Sequence, residues 1–177
     1  MEMDAYLAAK LNSFVTADTT ALTSANILTT WDGYLEALTN ARVNRDRVVA
    51  YMTPAVYKLL KEAAGITRFV DVGTGIRGVD RNVAKLDGLV IREVPADLMK
   101  TSYVFTDGWA VASGAKQINM ILVDPEAVAA PVKYEVAMMS APNAQSKGKY
   151  LYYERYYYGA FALNNRKSGI IVNAAAT

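Results

Sequence analysis

Three glycines carry the most recognisable chemical pattern in the chain. Gly73, Gly75 and Gly78 in VGTGIRG satisfy a G-x-G-x-x-G spacing behind Phe69–Val72, which reads as a strand, and Glu93 follows further on. In a dinucleotide-binding fold such glycines permit a tight turn and close approach of a pyrophosphate, while the downstream acid binds the ribose hydroxyls. That chemistry needs a crossover helix of some length packed on the sheet. The residues available, IRGVDRNVAKLDG, contain a further Gly and no clean apolar stripe, and only about ten residues separate Gly78 from the next strand. A glycine loop between strands is therefore expected, with a dinucleotide-binding oxidoreductase domain as the alternative. Asp71, Asp80, Asp87 and Glu93 lie near one another in sequence, but nothing in their spacing brings two carboxylates together for acid–base work. Lys147 and Lys149, either side of Gly148, are a small footprint for a phosphate.

Among 177 residues there is no histidine and no cysteine. Disulfides, thiol nucleophiles, Ser-His-Asp chemistry and thiolate or imidazole metal ligands are thereby excluded. Carboxylates, Lys and Tyr are what is left for catalysis, and the expectation is a protein that is not an enzyme and holds no metal. Lys and Arg number 19 against 17 Asp and Glu, a net charge of +2 without a long basic run, so strong nucleic-acid binding is not expected. An apolar content of 53% with 20% charged residues describes a folded globular protein of about one domain. Apolar runs such as Met120–Val123 fall far short of the roughly 18 residues of a membrane-spanning helix. The opening MEMDAYLAAKLNS has no basic head of the signal-peptide kind, so a soluble, unexported chain with no membrane partner is expected.

The elements that would position any site are marked unevenly. Residues 1–14 space Met3, Tyr6 or Leu7, Ala8, Leu11 and Phe14 as one apolar helical stripe that begins abruptly, either an ordinary first helix or one cut from a longer helix. After the polar connector TADTTALTSA, Thr23 or Ser24 can cap a second helix whose Ile27, Trp31, Tyr34, Leu35 and Leu38 share a face. Val48–Met52 reads as a strand feeding a helix with Thr53 as cap, Pro54 in the first turn, a Val56, Leu59, Leu60 and Ala63 stripe, and Gly65 as terminator. Leu89–Val94, Tyr103–Phe105 and the continuous apolar INMILV, Ile118–Val123, read as strands, the last suited to a central position. Asp124 and Pro125 start a short helical turn through about Ala130, and the alternation from Val132 to Met138 describes a half-buried strand.

The stretch around which the rest is organised is YLYYERYYYGAFALNNRKSGIIV, Tyr150–Val172, which reads as a long strand, a reversal at NNRKSG and a returning strand: a β-hairpin. Alternation puts Leu151, Tyr153, Arg155, Tyr157 and Phe161 on one face and Tyr150, Tyr152, Glu154, Tyr156 and Tyr158 on the other. Both faces are aromatic and both need covering, by the domain itself or by a neighbouring subunit. Tyrosine, stiff and polar-tipped, is enriched at protein contacts. Tyr153, Arg155 and Tyr157 are candidate interface residues on this ground, the alternative being a core strand whose hydroxyls reach the surface. Arg42 and Arg45, with Arg47 in the charged loop ARVNRDR, are further candidates for pairing with acidic groups of a partner, and a solvated loop is the plainer account of them.

Four phrases, TPAVYKLLKEA, KLDGLVIREVPADLM, INMILVDPEAVAAPVKYE and YERYYYGAFALNNRKSGIIV, resemble in order and spacing the later part of major capsid proteins of tailed phages, from about Met1 to Val172. The resemblance implies an α+β, Hong Kong 97-like phage capsid fold with mixed β-sheets and flanking helices. It implies a structural coat protein of a phage or prophage that forms hexamers and pentamers and closes into an icosahedral head shell. No cofactor is implied. The implied partners are other copies of itself, packaged double-stranded DNA met non-specifically, and scaffold, protease and portal proteins. The implied location is the virion, with the bacterial cytoplasm during assembly. A related shell encloses cellular protein-filled compartments and is an alternative of the same fold. On this sequence the implied division is residues 1–42 for the end of a spine helix and a peripheral-domain helix, 43–130 for an axial domain, and 131–177 for the return to the periphery with the Tyr-rich hairpin. The family's N-terminal arm, extended loop and most of its spine helix have no counterpart here, so a fragment is expected, with weak association or monomers at ordinary concentration and no closed shells.

Overall fold

The computed structural model describes residues 2–63, 83–106 and 108–176. Helix α1 (Glu2–Phe14) carries Glu2 and Asp4 in its first turn, where the positive end of the helix dipole favours them, and buries Ala5 and Ala8. Before α2 (Ile27–Asn40) the chain makes a reciprocal brace: Thr23 N–H donates to Asn26 Oδ1 (2.7 Å) and Asn26 N–H donates to Thr23 Oγ1 (3.3 Å). This is capping-box geometry with Asn in the place of Glu. The buried residues of α2 are Ile27, Trp31, Tyr34, Leu35 and Leu38, the stripe its spacing dictates. Strand β1 (Val49–Met52) runs into α3 (Pro54–Glu62), where Thr53 takes an extended conformation at the cap and Pro54 opens the helix. The Thr53 hydroxyl does not cap; it leans toward Asn119 O (3.4 Å) and ties the helix start to the sheet. The helix ends at Glu62, with Ala63 leaving it in an extended conformation. Gly65, the strand expected at 69–72, Asp71, Asp80 and the glycine pattern at 73–78 lie outside the described residues.

Strands β2 (Lys85–Leu86) and β3 (Leu89–Glu93) form a hairpin whose turn, Asp87-Gly88, has φ of 49° and 89°. Both central residues in the left-handed region is what a type I′ turn demands. Next come β4 (Tyr103–Val104), β5 (Ala110–Val111), β6 (Ile118–Val123), β7 (Val128–Ala129), β8 (Val132–Ser140), β9 (Leu151–Tyr158), β10 (Phe161–Ala162) and β11 (Ile170–Ala174). A five-stranded sheet has the order β11-β6-β1-β3-β2, with β1 and β3 parallel and its other pairings antiparallel. Two cores lie on its two faces. Met120 and Leu122 of β6 join Trp31, Leu38, Val56 and Leu60 of α2 and α3, while Ile121 and Val123 join Ala8, Met99, Ile170 and Val172 on the α1 side. This is why INMILV is apolar at successive positions: the strand is covered above and below.

Several expectations are corrected here. The hairpin Tyr150–Val172 does not form: β9 pairs with β8, NNRKSG coils as a 3-10 turn (Asn164–Gly169), and β11 pairs with β6. The turn at Asp124-Pro125 stops at Ala127, after which Val128–Ala129 pair with β10 as a short strand. Of the β8 side chains expected to be buried, Val132 and Tyr134 are instead 55% and 47% exposed. Helix α2 shares its core with β1, β3 and α3, and β11 completes the same sheet. The architecture is α+β, a mixed sheet between helical layers with a separate two-stranded ribbon, β8–β9.

Candidate assembly interface

The ribbon is held by its own ladder, from Val132 opposite Tyr158 to Ser140 opposite Leu151, with a register shift between Val136 and Met138. Glu135 stands opposite Arg155 and Lys133 opposite Tyr157 in this register. At its base, Tyr158 meets the Tyr6 ring of α1 edge-on (5.3 Å) and its hydroxyl donates to Glu2 Oε1 (3.3 Å). Tyr6 also meets Phe105 (6.1 Å), so aromatic rings join ribbon, first helix and the β4 region. At its tip, Asn143 and Ser146 brace the turn: Ser146 N–H donates to Asn143 Oδ1 (2.8 Å), and Asn143 N–H donates to Ser146 Oγ (2.9 Å). Lys147 and Gly148 follow with φ of 51° and 75°.

Between base and tip both faces are open. Tyr152 is 58%, Tyr153 52%, Tyr156 53% and Met139 72% exposed. Two strands without a covering layer are marginal in water, and contiguous aromatic surface of this kind marks a contact site. The two faces differ chemically. On one, the Arg155 guanidinium donates to Tyr157 Oη (2.8 Å) and Tyr153 Oη (3.1 Å) and lies 5.8 Å and 5.6 Å from those ring centroids, a cation held between two aromatic rings. On the other, the Tyr134 and Tyr152 hydroxyls lie 2.7 Å from each other and 3.3 and 3.0 Å from Glu154 Oε2, two protons serving three contacts, and the Tyr134 ring lies 4.8 Å from that of Tyr156. The bond with Tyr134, and then the one with Glu154, pushes the Tyr152 phenol well above its ordinary value.

Tyr153, Arg155 and Tyr157 are thus brought together on one face. Arg42 and Arg45 are not part of it: Arg42 is exposed with φ 59° after α2, and the Arg45 guanidinium reaches Asp87 O (3.4 Å) at the β2–β3 turn. Asp87 accepts from Trp31 Nε1 (3.0 Å), and Glu93 ends β3 opposite Met52, so these carboxylates do not converge. Lys147 and Lys149 lie in the ribbon's turn. Two features had no signal in the sequence. Glu126 bridges the guanidinium groups of Arg47 and Arg166, which holds its carboxyl below the usual range through the Arg166 bond and then the charge of Arg47. A cleft of about 410 Å³ between α1 and the sheet is lined by Asp4, Leu7, Leu11, Tyr51, Ile121 and Val128 among others. Among the described residues no group of His, Cys, Asp and Glu is placed to hold a metal ion, and no helix is long and apolar enough to cross a membrane.

No model of a known protein family matches the chain, and no curated protein matches it. A solved structure from Mycobacterium phage Che8 is similar over 97% of this chain, with a TM-score of 0.55 and 17% sequence identity. This chain spans 57% of the length of that one. At such low identity the likeness is one of fold: the α+β architecture described above has a structural neighbour in a phage protein.

Proposed function

We propose that the chain is a subunit of the icosahedral head shell of a tailed phage or prophage, a major capsid protein of Hong Kong 97-like fold. The observation that carries this reading is the β8–β9 ribbon, aromatic and exposed on both faces. A protein that works alone has no use for such a surface, whereas a shell subunit meets neighbours on several sides. The neighbour from Mycobacterium phage Che8 supports the phage setting over a cellular compartment. In this reading α1 and the ribbon belong to the peripheral part, and the five-stranded sheet with α2 and α3 forms the axial domain. The subunit binds other copies of itself and acts without a cofactor, and the shell meets DNA only through general electrostatics.

Negative-stain electron microscopy of the natural reading-frame product containing this chain tests the proposal. Uniform closed particles are expected. Small discrete oligomers that never close, together with saturable binding of a dinucleotide, would overturn it and return attention to Gly73, Gly75 and Gly78.

A further inference from the structure

We infer that the two faces of the β8–β9 ribbon are complementary halves of one contact between copies of this chain, the Arg155 face of one copy seating on the Glu154 face of the next. The inference rests on the self-assembly reading above and specifies its geometry. Opposite sides of the same two strands carry opposite chemistry. One presents the Arg155 guanidinium held between Tyr153 and Tyr157, with Lys133 opposite Tyr157 in register. The other presents Glu154 with hydroxyls of Tyr134 and Tyr152 turned to it and, among the described residues, no cation in the ladder.

Each charge is already oriented by the tyrosines beside it, so little side-chain freedom is lost when a partner arrives. A guanidinium presents more donors than two hydroxyls take up, and a carboxylate more lone pairs than two hydroxyls fill. Like faces cannot meet well. Arg155 face on Arg155 face, or Glu154 face on Glu154 face, opposes equal charges at the centre of an aromatic contact, where juxtaposed like charges are most costly. Pairing along the outer edge of β8 is hindered by the register shift between Val136 and Met138, which breaks the continuous ladder an edge needs. The arrangement that the charges of the two faces favour is face to opposite face, a head-to-tail contact. Repeated by a rotation that closes, such a contact builds a ring rather than a two-fold dimer.

Charge swaps read by sedimentation velocity over a concentration series test this. Wild type is compared with Arg155→Glu, Glu154→Arg and the double variant carrying both, with circular dichroism to check that each folds. Each single swap is expected to weaken self-association at least about tenfold, and the double variant, with its faces exchanged in sign, to recover most of it. Raising the salt should weaken the wild-type contact, because its charges are brought together from solvent; this second readout does not depend on any variant folding. A Glu154→Arg protein that associates like wild type, a double variant no better than the singles, or salt-independent wild-type association would overturn the inference while leaving self-assembly standing. Wild type that stays monomeric at every concentration would overturn this contact, whereas the shell reading itself stands or falls with the particles of the natural reading-frame product.

Discussion

Asn173 shows how much of the body depends on one buried polar side chain. It is fully enclosed, donates to Thr20 O (3.0 Å) and Tyr34 Oη (3.1 Å), and accepts from Asn119 Nδ2 (2.8 Å). Tyr34 in turn donates to Asp18 Oδ2 (2.5 Å). Asn173→Ala strands several of these partners away from water, and a loss of about 2–3 kcal/mol is expected in chemical denaturation. Asp18 makes the same network sensitive to acid. Burial pushes its carboxyl up, but bonds from Tyr34, Thr20 and Asn173 together outweigh that and hold it below the ordinary range. Its contribution is therefore present above the unfolded value, about 3.9, and is lost as pH falls through the lower folded value. Stability profiles should show Asp18→Asn flatter than wild type below about pH 4, and an equally steep acid limb in the variant would refute the assignment.

At the scale of elements, the ribbon is a separable addition. Among the described residues, the side chains of the two main cores come from the helices, the five-stranded sheet and their connections, not from β8 or β9. Its ends are adjacent, Gly159 N–H donating to Pro131 O (3.2 Å). Replacing Lys133–Tyr157 with a short Asn-Gly turn keeps the Val132–Tyr158 pair and the Tyr6–Tyr158 contact. Such a protein should unfold within about 1–2 kcal/mol of wild type yet show no self-association by sedimentation; a collapse of the core would mean that the ribbon is part of the folding unit. The same elements show what is legible locally. Helix α3 is written in Thr53-Pro54 and α2 in its apolar stripe, because caps and periodicity act over a few residues. The partner of a strand is decided by distant residues. NNRKSG has turn composition, so β9 and β11 look like neighbours; in space a 3-10 turn separates them, and β11 is drawn to β6, where Ile170 and Val172 are buried.

For the whole molecule, the candidate site was half visible in sequence. The alternation of aromatic residues exposes both faces of the strand, but which strand accompanies it, and the brace at its base from Tyr6 and Glu2, come only from tertiary structure. The Asp18–Tyr34–Asn173 network was invisible for the same reason, since a polar connector and a late strand meet only once the sheet is built. One consequence concerns biosynthesis. Residue 18 bridges to residue 173, with Asp18 N–H on Val172 O (2.8 Å) and Ala174 N–H on Asp18 O (2.9 Å). A nascent chain that has not yet delivered Ile170–Ala174 lacks both the edge of the sheet and the anchor for the segment joining α1 to α2. The exposed aromatic ribbon leaves the ribosome before that strand, so on polysomes carrying many copies it is displayed by bodies that cannot yet close. Premature clumping is then a hazard of translation itself, and slow emergence of Ile170–Ala174 raises it.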